Sequence, residues 1–213
     1  MPIIEPVSID MNKILPIIFI IDASVEMQGE RIEYINKTLD NLAVLLSDEK
    51  IVPVEVDIKI GIVKSATDAE WITNGIVSLS DFKVDTFHAC GESNLGLALE
   101  VLSDRMTSRD VLSDSTGYYA PILVFVNGTR ITDDYKRGFS YAQQNKWFKA
   151  ATKIGLKIGE DADLDALIYV TGTQEAVIGI DFIEEILIMC VKSNSCPRGI
   201  VNDSYDKEWD EEW

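Results

Sequence analysis

Oxygen-bearing side chains gather at three places in this 213-residue chain. Asp22, Ser24 and Glu26 stand at alternate positions directly behind the apolar run Ile14–Ile21. Gly91-Glu92-Ser93-Asn94 precedes a stretch of regularly spaced leucines, and Asn127-Gly128-Thr129 follows the apolar run Ile122–Val126. Carboxylates, hydroxyls and the amides of Asn94 and Asn127, with neither His nor Cys, form the oxygen-rich donor set that hard cations such as Mg²⁺ prefer. Covalent chemistry has less to work with. His88 is the sole histidine, and no nucleophile motif surrounds it. A phosphohydrolase using Asp22 as nucleophile is the enzymatic alternative, but that chemistry wants a second Asp two positions on, where this chain has Ser24. A nucleotide or flavin site would need a Gly-rich first loop, and "DASVEMQGE" has a single glycine, well past the strand.

The elements that must position these loops follow from hydrophobic period. A continuous apolar run of strand length, such as Ile14–Ile21, is typical of a parallel strand covered on both faces. Behind it Ile32, Ile35, Leu39, Leu42 and Leu46 recur at spacings of three and four, predicting a helix from about Gln28 to about Glu49. Val54, Val56, Ile58, Ile60 and Ile62 alternate as a strand does, and a shorter strand is expected between Trp71 and Leu79. Leu95, Ala98, Leu99, Leu102 and Met106 make a second helical stripe. Ile122–Val126 is a third main strand, with Thr132-Asp133-Asp134 opening the next helix. Strands at Ile154–Ile158 and Ala176–Ile180, and helices at Leu164–Val170 and Phe182–Val191, complete the series. "GEDAD" at Gly159–Asp163 reads as a strand-to-helix turn capped by Asp163. Alternation of strand and helix along the chain predicts an α/β fold, doubly wound, with a mainly parallel central sheet and helices on both faces. Ligands of such folds bind at the carboxyl ends of the strands, where all three polar loops fall.

Taken in order, the motifs resemble those of a von Willebrand factor A (vWA) domain. They are an apolar strand into Asp-x-Ser-x-x-Met, a Gly-x-Ser-x-Leu-Gly loop opening a helix, and a strand ending in Asn-Gly ahead of Thr-Asp-Asp. Within that superfamily the chain is similar to the stand-alone bacterial proteins of tellurium-resistance clusters, the TerY-like group. That likeness rests on "ILPIIFIIDASVEMQGERIEYIN", "NLGLALEVLSDRM" and "GEDADLDALIYVTGTQEAVIGI" and spans Leu15 to Ser193. The resemblance implies a metal-ion-dependent adhesion site (MIDAS), built from an Asp and two Ser of the first loop, a Thr of the second and an Asp of the third. Asp22 and Ser24 match; the remaining positions carry Glu26, Ser93 and Asn127. One carboxylate is lost and one gained, so the charge is kept while the geometry changes. Glu26 would either reach in and close the metal site, or accept hydrogen bonds from Ser24, Ser93 or the Asn127 amide in a metal-free network. Because Mg²⁺ demands near-ideal geometry, the expected cofactor is none, or a weakly bound divalent cation. The family further implies a non-enzymatic, protein-binding adaptor of a stress-response system, with a phosphatase or kinase of that system as partner.

Charge and composition bound the remainder. Thirty-six acidic against 19 basic residues give a net charge of −17, which repels phosphate backbones and anionic membranes, so neither nucleic acid nor membrane is an expected partner. No segment is long enough to cross a bilayer. Cys90, Cys190 and Cys196 lack metal-ligand spacing and sit in or near apolar segments as buried thiols do, which fits a cytoplasmic location. The expected organisation is an N-terminal arm over 1–13, the vWA domain over 14–195 and an acidic tail over 196–213. In that tail Trp209 and Trp213 are candidate partner-binding anchors.

Overall fold

The computed structural model describes residues 13–53, 55–83, 88–114 and 116–194. A seven-stranded sheet is built around β1 (Lys13–Asp22), whose residues from Ile14 onward are all buried. Its alternation explains why the sequence shows no polar side to this strand. Leu15, Ile17, Phe19 and Ile21 enter one core with α1 (Glu30–Leu46) and α6 (Ile183–Asn194). Ile14, Ile18 and Ile20 enter the other with α2 (Leu95–Arg105), α4 (Lys146–Ala150) and α5 (Leu164–Thr171). A residue pointing either way from β1 therefore leaves water, and the run stays apolar throughout.

β2 (Val56–Ser65) and β5 (Ile122–Asn127) flank β1, both parallel to it; β6 (Thr152–Lys157) and β7 (Val177–Gly179) continue the parallel series beyond β5. The chain steps from β1 to β2 on one side and resumes at β5 on the other. The carboxyl ends of β1 and β5 thus lie side by side at the point where strand order reverses. The fold class and the main elements agree with the hydrophobic pattern, and all five apolar positions predicted for α1 are buried.

Two regions differ from expectation. Instead of one strand near Trp71–Leu79 there are two pairs of residues, β3 (Glu70–Trp71) and β4 (Val77–Ser78), each antiparallel to β2. Thr73 separates them by turning the chain inward: its hydroxyl accepts from Ile62 N at 2.9 Å and donates to Gly75 O at 2.7 Å. The five-residue α4 has no counterpart in the sequence reading. It exists because Asn145 ties it down, its side-chain oxygen accepting from Trp147 N and Phe148 N and its amide donating to Ser103 O and Met106 O. Five residues are too few for a period to show, yet they bury both Trp147 and Phe148. α3 (Tyr135–Ala142) is capped by Asp134 and α5 by Asp163, as the polar residues ahead of them indicate.

Cys190 is buried, and burial pushes its thiol pKa up. Cys90 is exposed, contrary to the expectation of a buried thiol, because its segment runs over the loops rather than into a core. His88 is exposed as well. Cys196, Trp209, Trp213, most of the N-terminal arm and the acidic tail lie outside the described residues.

Candidate functional site

At the end of β1 the side chain of Asp22 is buried, and four neutral donors converge on it. Ser24 N donates to Oδ1 at 3.0 Å. Oδ2 receives Thr129 Oγ1 at 2.7 Å, Asn127 Nδ2 at 3.1 Å and Gly128 N at 3.4 Å. Because the Thr129 hydroxyl proton is committed to the carboxylate, the 3.1 Å contact between Ser24 Oγ and Thr129 Oγ1 is a bond from Ser24 to Thr129. The third loop is therefore fastened to the first through one carboxylate and two hydroxyls.

Asn127 has only one orientation available. Its Oδ1 accepts from Asp163 N at 2.8 Å, so Nδ2 must face Asp22; turning the amide over would set its N–H groups against Asp163 N–H and leave Asp22 Oδ2 facing the amide oxygen. The Asn127 amide thus turns its N–H side, not its oxygen, toward the Asp22 carboxylate.

The loops are fixed from several sides. Val25 N donates to Gly91 O and Cys90 N to Ala23 O, joining the first loop to the second. Ser93 O accepts from Thr132 N and from Thr132 Oγ1, joining the second to the third. Asp133 caps α2 from across the interface, Gly96 N and Leu97 N donating to its two carboxylate oxygens at 3.0 and 2.9 Å. Arg31 of α1 donates to Gly128 O at 2.8 Å and pairs with Asp161 at 2.6 Å. Gly128 lies so close to Met27 and Ile158 that a Cβ there would sit 2.5 Å from Met27 Sδ and 2.9 Å from Ile158 O, which only glycine avoids.

Of the five residues expected to form the site, four are brought together. Asp22, Ser93 and Asn127 line one small cavity, and Ser24 is joined to Asp22 and Thr129. Glu26 is not among them. The three-residue helix Val25–Met27 buries Met27 and leaves Glu26 exposed, and among the described residues no hydrogen bond reaches it. Glu26 is not part of the hydrogen-bond network around Asp22 and does not line the cavity. Thr129 and Ser65 are buried parts of the site that the candidate set omitted. Thr129 belongs to the third loop as read from sequence; Ser65 becomes visible only through register, which sets it opposite Asp22.

A divalent cation fits this donor set poorly. Its sole buried carboxylate already accepts from four N–H and O–H donors, the Asn127 amide turns its N–H side toward it, and Glu26 is exposed. Among the described residues no group of three or more His, Cys, Asp or Glu side chains is placed to hold a metal.

The fold has many solved counterparts. Proximal thread matrix protein 1 from mussel byssus, solved with zinc in its MIDAS motif, matches with a TM-score of 0.62 and 12% identity over 87% of this chain and 48% of that one. The ArnB paralog VWA2 from Sulfolobus acidocaldarius matches with a TM-score of 0.58 and 16% identity over 82% and 44%. BatB from Bacteroides thetaiotaomicron matches with a TM-score of 0.53 and 13% identity over 85% of this chain and 98% of that chain. The chain spans about half the length of the byssus and Sulfolobus proteins. No family model matches the sequence, and neither does any curated protein. At these identities the likeness establishes the vWA fold.

Proposed function

We propose that this chain is a non-enzymatic protein-binding module that uses the vWA loop face without a metal ion. The observation carrying the reading is the closed Asp22 network, in which Asn127, Gly128, Thr129 and Ser24 N supply the contacts that a cation would otherwise make. What the face offers a partner is apolar and acidic. Val25 and Leu97 are exposed at the rims of the first and second loops, beside exposed Glu26 and Glu92. Such a surface favours a partner with apolar anchors and basic flanks, charge steering the encounter and burial supplying the hold. The similarity of the loop motifs to the TerY-like group supports a place in a bacterial tellurium-resistance or stress-response system, in the cytoplasm, with a phosphatase or kinase of that system as the partner class. No helix among the described residues is long and apolar enough to cross a membrane.

Affinity capture from cytoplasm tests this reading. Capture is expected to survive chelation, because no contact of the loop face depends on a metal, and loss of capture on adding EDTA overturns it. Removal of the segment after Asn202, with its six acidic residues and two tryptophans, is expected to weaken capture while leaving the melting temperature unchanged. Unchanged capture by the truncated chain assigns binding to the loop face alone.

The enzymatic alternative makes a separate prediction. Asp22 is 2% exposed and both its oxygens are engaged, so it is not free to attack a phosphorus atom. Incubation with a generic phosphomonoester and Mg²⁺ or Mn²⁺ is expected to give no turnover above the uncatalysed rate. Turnover that disappears in Asp22→Asn would reverse the assignment.

A further inference from the structure

Beside Asp22 lies a small cavity of about 10 Å³, the space one water molecule needs. Its polar walls are Asp22, Ser65, Ser93 and Asn127; its apolar walls are Ile20, Leu95, Phe125, Val126 and Leu167. Ser65 and Ser93 are both buried, and the hydroxyl of each has no hydrogen-bond partner among the described residues. Two orphaned hydroxyls lining one cavity are unusual, since each forfeits a bond it would make in water. Ser65 ends β2, Ser93 precedes α2, and Asp22 and Asn127 end β1 and β5, so the cavity is where three loops and an adjoining strand end meet.

We infer that this cavity is a binding site for a single structural water, which accepts from or donates to Ser65 and Ser93 and donates to Asp22. The chemistry excludes the other small occupants. A hard cation such as Mg²⁺ takes six oxygens in near-octahedral geometry, whereas the apolar walls supply none and the Asn127 amide turns its N–H side toward Asp22. A water needs two to four polar partners, and the cavity provides that number. Oδ1 of Asp22 carries only the Ser24 N–H and retains a lone pair for it. The water thereby ties the ends of β2 and of the second loop to the Asp22 network, to which no direct hydrogen bond connects their side chains. The inference rests on the metal-free reading of the site and sharpens it by naming what fills the space beside the carboxylate.

The sign of a stability change separates the possibilities. If one water bridges both hydroxyls, Ser65→Ala and Ser93→Ala each lower the melting temperature of the full chain by about 2–4 °C. The double variant then falls little further than the worse single variant, because the bridge is lost only once. If the cavity is dry, each substitution removes an unsatisfied hydroxyl and raises the melting temperature, which overturns the water while leaving the metal-free reading intact. Additive losses, or no change, overturn it as well, since they mean the two hydroxyls share no partner. A high-resolution crystal structure grown with Mn²⁺ closes the test: a water with contacts near 2.8 Å supports the inference. Anomalous density in the cavity, with a melting temperature of the parent that EDTA lowers, defeats both readings together.

Discussion

Asn127→Asp is expected to destabilise the protein by about 3 kcal/mol or more in chelator, a fall of roughly 6–12 °C in melting temperature for a chain of this length. The substitution keeps the shape of the side chain and its acceptor for Asp163 N, but it replaces the amide that donates to Asp22 at 3.1 Å with a second carboxylate. Two buried like charges at hydrogen-bond distance cannot both remain ionised without a cation or proton between them. The deficit should therefore shrink as the pH is lowered and the pair takes up a proton. That sign follows because the folded variant then binds more protons than the unfolded chain. It should shrink at neutral pH when Mg²⁺ or Mn²⁺ is added, since a ligand at 100 times its Kd stabilises by about 2.7 kcal/mol. The parent should show no such response to Mg²⁺. Adding Glu26→Ser to the variant should change little, because Glu26 is exposed and makes no contact within the site. Thermal melts of parent and variants with EDTA or Mg²⁺ measure all of this. A parent that Mg²⁺ stabilises as strongly as the variant would mean that Asn127 is no barrier to the cation.

Which parts of this arrangement were legible in the sequence depended on how locally each is encoded. β1 was clear because a strand buried on both faces has no position where a polar residue is tolerated before its end, so Asp22 announced where the strand stops. The stripes of α1 and α2 were equally clear, as each repeats its apolar side chains over several turns. α4 was hidden because five residues hold less than two turns, and what stabilises it is a single Asn reaching to the end of α2.

Within the site, the sequence located the loops but not the direction of each side chain. Glu26 and Asn127 looked like a compensating pair, one carboxylate moved from the third loop to the first. A side chain at a matching position need not point to a matching place. Ser24 is extended and the next three residues coil into a short helix that spends its one buried position on Met27, so Glu26 faces solvent. The compensation is carried instead by neutral donors, Thr129 above all, whose hydroxyl was visible in the loop while its bond to Asp22 was not. Ser65 shows the limit most plainly. Nothing in "IVKSATD" distinguishes it from any serine that ends a strand, and it enters the site only because β2 runs in register beside β1.

The second large effect is expected at the crossing of α2 and α3. Gly138 faces Gly96 so closely that a Cβ on Gly138 would lie 2.2 Å from Gly96 O and 2.5 Å from Gly96 Cα. Both obstacles are backbone, so no rotamer change relieves them and the helices themselves must separate. Alanine in a helix interior is otherwise favoured over glycine by about 1 kcal/mol, so a net loss on Gly138→Ala measures overpacking against a propensity gain. We expect a net destabilisation of about 2–4 kcal/mol, against less than about 0.5 kcal/mol for Ser140→Ala on the exposed side of the same helix. The crossing also sets the loop face. Gly96 N and Leu97 N are held by Asp133, and Thr132 binds Ser93 O, so pushing α3 away from α2 pulls on the Ser93 loop and the third loop together. Amide exchange in Gly138→Ala should accordingly accelerate at Gly96, Leu97 and Thr132, while β6 and α1 stay protected until global unfolding. Acceleration spread evenly over the chain would show that the crossing contributes to the core alone, and an unchanged melting temperature would show that the two helices can part without cost.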